Sequence, residues 1–150
     1  MKHTRGDVIM RTSKEFEDLE RLVRKLGRAD WRRPVPRPET KDPWTVKDSL
    51  AHIVHWKEHT ARVLRQEKRP LELRGLEVNA INRLIYERWK GRPPTDVLAW
   101  HRRVHDEVMQ TLRTVPSERF TRREHGPDWP GDFTSHSAWH RARDIAAALQ

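Results

Sequence analysis

Residues 44–66 read WTVKDSLAHIVHWKEHTARVLRQ and carry the clearest helical signal of the chain. Thr45 is followed three residues later by Asp48, a pattern in which the two side chains satisfy the first free amides of a helix. Apolar residues then recur at helical spacing, as Val46, Leu50, Ile53, Val54, Ala61 and Leu64. We therefore predict a long amphipathic helix from Thr45 to about Gln66 that turns this row to the core of a helical bundle.

A second row of the same helix is half polar. It contains Asp48, His52, Trp56, His59 and Val63. Such a row is suited to the wall of a cavity between helices rather than to a closed apolar core.

The segments before this helix predict one further helix and a long connection. A capping-box pattern at Thr12 and Glu15 predicts the start of the first helix, and Gly27 its end. Residues 30–43 contain four prolines and cannot continue a helix, so they are expected to be extended.

Three more helices are predicted after it. The third covers about Leu76 to Lys90, and the fourth, capped by Thr95, covers about Asp96 to Thr114. Residues 115–133 are interrupted by Pro and Gly, and the last helix begins after a cap at Thr134 or Ser135. These elements predict an all-α, four-helix bundle with long crossover connections, as a single domain over residues 1–150.

Composition narrows the function. The chain has no cysteine, which excludes disulfides and a protein thiol nucleophile and leaves His and carboxylates as metal ligands. The net charge of +9 is spread along the chain among 22 acidic residues, which favours a solvated basic surface over a nucleic-acid site.

No apolar run reaches the ~18 residues of a membrane span, and no signal peptide is evident, so a cytoplasmic location is expected. The low apolar content, 35%, predicts a thin core and a homodimer.

Nine histidines give three pairs at i, i+4 spacing, whereas chance predicts roughly half a pair. The pairs are His55/His59, His101/His105 and His136/His140. Each pair can place both imidazoles on one helix face, so spacing alone does not choose among them.

Context favours the last pair. A catalytic zinc-type site takes three protein ligands and leaves one position open. His52, on the half-polar row, is suited to be the third ligand beside His136 and His140, although His55 or His59 could replace it. His101 and His105 lie in a valine-rich row, and this pair is interpreted either as core-edge packing or as support for the metal ligands.

Two stretches resemble a known family. WTVKDSLAHIVHWKEH (44–59) is similar to the helix-two signature of the DinB-like, or YfiT-like, four-helix bundle superfamily. NAINRLIYERWKGRPPTDVLAWHRRVHDEVMQTL (79–112) further resembles its ClbS/DfsB branch, with an Asn-rich third helix and a short Pro break. The resemblance covers roughly residues 12–150.

The resemblance implies a metal site and a range of activities. In metal-binding members, a His of helix two joins an H-x-x-x-H pair of the last helix around one divalent ion; here these are His52, His136 and His140, and zinc or nickel is expected. Members include transferases and isomerases that use low-molecular-weight thiols, and metal-dependent hydrolases. The ClbS branch includes a self-resistance protein that hydrolyses the cyclopropane of a genotoxin.

Three hypotheses follow. The first is a metal-dependent small-molecule hydrolase or thiol-dependent transferase, in which the ion activates a water or a thiol. Asp48 would orient His52, and Asn82 and Tyr86 would donate hydrogen bonds to substrate. For Trp56 and Trp139, a place in the core is the favoured interpretation, and a place in the wall of a substrate pocket is the alternative. The second is a small-molecule sequestration protein of the ClbS type, and the third, disfavoured by the charge pattern, is a nucleic-acid-associated factor.

Overall fold

The computed structural model describes residues 3–36, 40–121 and 133–150. Its main elements are helices, which are in chain order α1 (Arg5–Lys25), α2 (Val46–Leu64), α3 (Val78–Trp89), α4 (Pro94–Thr114), α5 (Glu118–Thr121) and α6 (Ser135–His140). Helix α6 leads directly into a wider π-helical turn (Arg141–Ala146) and a final 3-10 turn (Ala147–Leu149). The prediction of an all-α helical bundle is confirmed.

Helix α2 is the central element. It packs against α3, α4, α6 and the π-helical turn, while α1 packs against α4 and the same turn. Its predicted cap is confirmed, since the Thr45 amide and hydroxyl both donate to Asp48 Oδ2, at 2.8 and 3.0 Å. The predicted core row is buried along its whole length, from Val46 to Leu64. The buried face therefore follows the helical period read from the sequence.

The predicted start of α1 is wrong. The helix begins at Arg5 and its cap is Thr4, eight residues before the predicted cap at Thr12, because the Thr4 hydroxyl accepts a hydrogen bond from the Asp7 amide. Thr12 and Glu15 lie inside the helix and are buried. Two cap-like patterns compete in this segment, and the one that is used extends the buried face of the helix to Val8.

The connection between α1 and α2 is attached to the start of α2. A 3-10 turn (Asp30–Arg32) is followed by an isolated antiparallel bridge between Pro34 and Thr45. The Val35 amide donates to the Trp44 carbonyl at 3.0 Å. The predicted extended connection thus pairs with the residues that precede and cap α2. Residues 37–39 of this connection lie outside the described residues.

The later boundaries differ from the predictions by a few residues. Helix α3 begins at Val78 rather than Leu76, and α4 begins at Pro94, so Thr95 lies within the helix instead of capping it. Proline is well suited to the first turn because it has no amide hydrogen to satisfy. In the predicted irregular stretch 115–133, Glu118–Thr121 forms the short helix α5, and residues 122–132 lie outside the described residues. None of the described helices has an apolar stretch of the length needed to span a lipid bilayer.

Candidate metal centre

Three histidines from two helices meet between α2 and α6. His52 lies in the middle of α2, and His136 and His140 lie one turn apart on α6. Each offers one ring nitrogen, and these three atoms lie within 4.8 Å of one another. The Nε2 atoms of His52 and His136 are 2.7 Å apart. His52 and His140 are almost fully buried, at 2% and 1% exposure, whereas His136 is exposed.

The arrangement fits a divalent ion. Tetrahedral coordination at about 2.0–2.1 Å per nitrogen requires nitrogens roughly 3.3 Å apart. The Nε2 atoms of His52 and His136 are closer than this, at 2.7 Å, and the three ligand nitrogens lie within 4.8 Å of one another. Modest side-chain rotations would therefore place all three nitrogens around a common centre. The cluster could therefore hold a metal ion.

A buried carboxylate, Asp144, orients one of the three rings. His140 Nδ1 lies 3.0 Å from Asp144 Oδ2, and this leaves Nε2 directed to the cluster. The Ser49 hydroxyl of α2 donates to the same oxygen at 3.0 Å, and Arg143 Nε donates to Oδ1 at 2.9 Å. Burial acts to raise the pKa of Asp144, but the hydrogen bonds from His140, Arg143 and Ser49 outweigh it and lower that pKa. Asp144 is therefore an anion that fixes the His140 tautomer and ties α6 to α2.

Sequence reasoning missed Asp144. The signal was present, because HRARD places an aspartate four residues after His140, within reach on one helix face.

Asp48 is placed differently from the expectation. Its hydrogen bonds go to the amide and hydroxyl of Thr45, so it caps α2. Burial raises its pKa, and the bonds from Thr45 act in the opposite sense. Asp48 and Tyr86 together line a different pocket of about 460 Å³, beside the end of α3.

The histidines form the floor of an open pocket of about 550 Å³. Its remaining lining comes from Trp56, Thr60, Val78, Asn82 and Trp139. The Trp56 indole donates to Asn82 Oδ1 at 2.9 Å, so these two candidates form part of one wall. The interpretation of Trp139 as a core residue is wrong, because its side chain is 52% exposed and lines the pocket.

The other histidine pairs are placed in helix packing. His101 Nε2 lies 3.0 Å from a carboxylate oxygen of the buried Glu20. The Phe16 ring stacks on His105 with centroids 3.6 Å apart. The core-edge interpretation of this pair is confirmed. His55 is buried, and burial lowers its pKa to about 3, aided by the charge of nearby cations.

The family assignment rests on the whole length of this fold. A family model described as the mycothiol maleylpyruvate isomerase N-terminal domain matches residues 12–147. The chain belongs to this family. The family is DinB-like, so the resemblance read from the sequence is confirmed at that level, while the ClbS/DfsB branch stays a prediction.

A solved structure shares the fold of this family member. The crystal structure of an uncharacterised protein from Escherichia coli UTI89 matches with a TM-score of 0.73, over 95% of this chain and 90% of that chain. The sequence identity is 12%, so the likeness shows the fold alone. No curated protein matches the chain significantly in sequence.

Proposed function

We propose that this protein is a metal-dependent enzyme acting on a small molecule, in which His52, His136 and His140 hold one divalent ion, zinc or nickel. The convergence of their three ring nitrogens within 4.8 Å, on the floor of a pocket, carries the proposal. The buried Asp144 behind His140 supports it, because metal-ligating histidines almost always donate their second ring N–H to such an acceptor.

A catalytic site is favoured over a structural one. Structural zinc sites are usually closed by four protein ligands, whereas three ligands leave a position for substrate. The three histidines that would hold the ion line a pocket of about 550 Å³, which is in the size range of small-molecule sites. A divalent ion held there supplies Lewis acidity and lowers the pKa of a water or thiol in contact with it.

Around that position, the protein contributes orientation and partial desolvation. Asp144 holds His140 in one tautomer, and Ser49 holds Asp144. Trp56, fixed by its hydrogen bond to Asn82, forms an apolar wall beside the buried His52. Among the described residues, none accepts a hydrogen bond from the Asn82 amide NH₂, which leaves this group for a polar contact with a substrate.

Thiol chemistry is favoured over hydrolysis. The family description names a mycothiol maleylpyruvate isomerase, and mycothiol is a thiol. The chain has no cysteine, so any thiol in its reaction must come from a low-molecular-weight co-substrate. We therefore place a thiol-dependent transfer or isomerisation ahead of metal-dependent hydrolysis, and both ahead of a sequestration role of the ClbS type.

Cobalt substitution tests this order. Co²⁺-loaded protein titrated with a small thiol is expected to show a thiol-dependent change in its visible spectrum, which an alcohol of the same size does not produce. The His136→Ala variant, treated in the same way, should show no change. If cobalt-loaded protein shows no spectral change on addition of thiol, the thiol-dependent reaction is excluded, and metal-dependent hydrolysis becomes the favoured activity.

Other predictions remain open to direct measurement. A cytoplasmic location and a homodimer stay predictions, and sedimentation equilibrium decides the second. Binding to DNA that weakens steeply with salt would support the nucleic-acid alternative instead.

A further inference from the structure

The tryptophans of this protein divide into two groups. The structure describes six of them, and four are buried: Trp31, Trp44, Trp89 and Trp100. The other two, Trp56 and Trp139, are partly or largely exposed, and both line the histidine pocket. Trp139 is 52% exposed, and Trp56 is half-buried at the edge of the core. Because an indole exposed to water is unfavourable, a largely exposed indole facing the same pocket as a half-buried one indicates a ligand surface.

Trp139 is held in its exposed position by contacts to its own helix. The Arg143 guanidinium lies over the indole, with its central carbon 3.9 Å from the ring centroid. The same guanidinium donates to Asp144 Oδ1 at 2.9 Å. Arg143 thus connects the exposed wall of the pocket to the carboxylate that orients His140, and the indole is positioned before any ligand binds.

Trp56 is fixed on the opposite helix. Its Nε1 donates to Asn82 Oδ1, and its ring meets the His52 ring edge-on, with centroids 6.3 Å apart. The remaining lining includes Val78 and Thr60, and charged side chains are absent from the described lining of this pocket. The pocket is therefore an apolar, indole-walled space with nitrogen ligands at its floor.

We propose that this pocket selects a ligand with a flat aromatic or conjugated body joined to a metal-binding head group. The head group reaches the ion at His52, His136 and His140, and the flat body packs against Trp139 and Trp56. Stacking on indole rewards planar ligands over flexible alkyl chains of the same length. This inference rests on the proposed metal site and assigns Trp139 as the residue that determines specificity.

A pair of hydroxamates tests the inference, because benzohydroxamate and acetohydroxamate share one chelating group and differ in the body attached to it. Binding to zinc-loaded protein is measured by isothermal titration calorimetry. We expect benzohydroxamate to bind at least roughly tenfold more tightly, from burial and stacking of its ring. Trp139→Ala should remove most of this preference, and Trp139→Phe should retain much of it.

Controls distinguish a failure of the Trp139 assignment from a failure of the metal site. Leu71 is 77% exposed and does not line the pocket, so Leu71→Ala should leave the preference unchanged. Equal affinities for the two hydroxamates, or a preference that survives Trp139→Ala, would overturn the assignment of the indole wall while leaving the metal site intact. If neither compound binds in a zinc-dependent way, the proposed function fails, and this inference fails with it.

Discussion

Asp144 determines how His140 can act, because it accepts the Nδ1 hydrogen and leaves Nε2 for the cluster. Its two oxygens are shared among His140, Ser49 and Arg143, all at hydrogen-bond distance. A carboxylate that orients a ligand histidine raises the basicity of that ligand as well as fixing its rotamer. Asp48, by contrast, accepts hydrogen bonds from the Thr45 amide and hydroxyl and so caps α2.

The two aspartates are therefore expected to respond differently to the same change. Asp144→Asn should lower metal affinity by about 10–100-fold, the usual effect of losing such a partner. Asp48→Asn should leave metal affinity unchanged and should lower the free energy of unfolding by about 1 kcal/mol through the weakened cap. Competition with a metal chelator measures the first quantity, and urea unfolding measures the second. If Asp48→Asn weakens metal binding as much as Asp144→Asn, the assignment of the orienting carboxylate is wrong.

Helix α2 carries two buried lysines with opposite environments. Lys47 and Lys57 are each 8% exposed. Lys47 Nζ donates to the carbonyl oxygens of Trp89, Lys90 and Arg92 at 2.7–2.8 Å and so closes the end of α3. Lys57 has no hydrogen-bond partner among the described residues, although Glu15 acts on its pKa. Burial lowers the pKa of Lys57 from 10.5 to about 8.

Replacement of each lysine by methionine should have opposite effects on stability. At pH 7 the folded protein must charge a buried Lys57, and the lowered pKa corresponds to a cost of up to about 3 kcal/mol. Lys57→Met should therefore raise the free energy of unfolding. Lys47→Met should lower it by about 1–3 kcal/mol, because carbonyls at the end of α3 lose their donor. Urea unfolding at pH 7 compares the two variants, and a destabilised Lys57→Met would show that its amine has a stabilising partner.

Much of the helical architecture was predictable because its determinants are local. The cap at Thr45 and the apolar period of α2 were read correctly from neighbouring residues. The start of α1 was not, because Thr4 and Thr12 both precede acidic residues by three positions, and tertiary burial decides which cap is used.

The site was predictable in part. The histidine triad follows from one helix row and one i, i+4 pair, both of which are visible in the sequence. The exposure of Trp139 depends on which residues of α2 and α3 lie opposite it, and that information is not local.

Stability of the whole molecule should fall as the solution is acidified. Burial lowers the pKa of both His55 and His101 to about 3, and neither is more than 4% exposed. The charges of Lys57, His105 and Arg102 lower the pKa of His101 further. Glu20, whose carboxylate lies 3.0 Å from His101 Nε2, is itself paired with Arg24 and Arg102. Below the ordinary histidine pKa of about 6.5, these two histidines are protonated in the unfolded chain but stay neutral in the folded chain. The free energy of unfolding therefore decreases as pH falls.

A variant isolates one of these histidines. His55→Leu should reduce the slope of unfolding free energy against pH by about 1.4 kcal/mol per unit between pH 6 and pH 4. Urea unfolding across this range provides the slope. An unchanged slope would mean that His55 is protonated in the folded state.

The metal content of untagged protein, before and after the change His136→Ala, tests the three-histidine site most directly. Elemental analysis of the wild type should find about one divalent ion per chain. The His136→Ala variant should lose most of it while its circular dichroism spectrum stays nearly unchanged, because the bundle has its own core, and His59→Ala should keep the metal. A large fall in melting temperature together with the metal loss would indicate a structural rather than a catalytic site. Full metal content in His136→Ala would contradict the account, and His55 and His59 would then be the first pair to test as ligands.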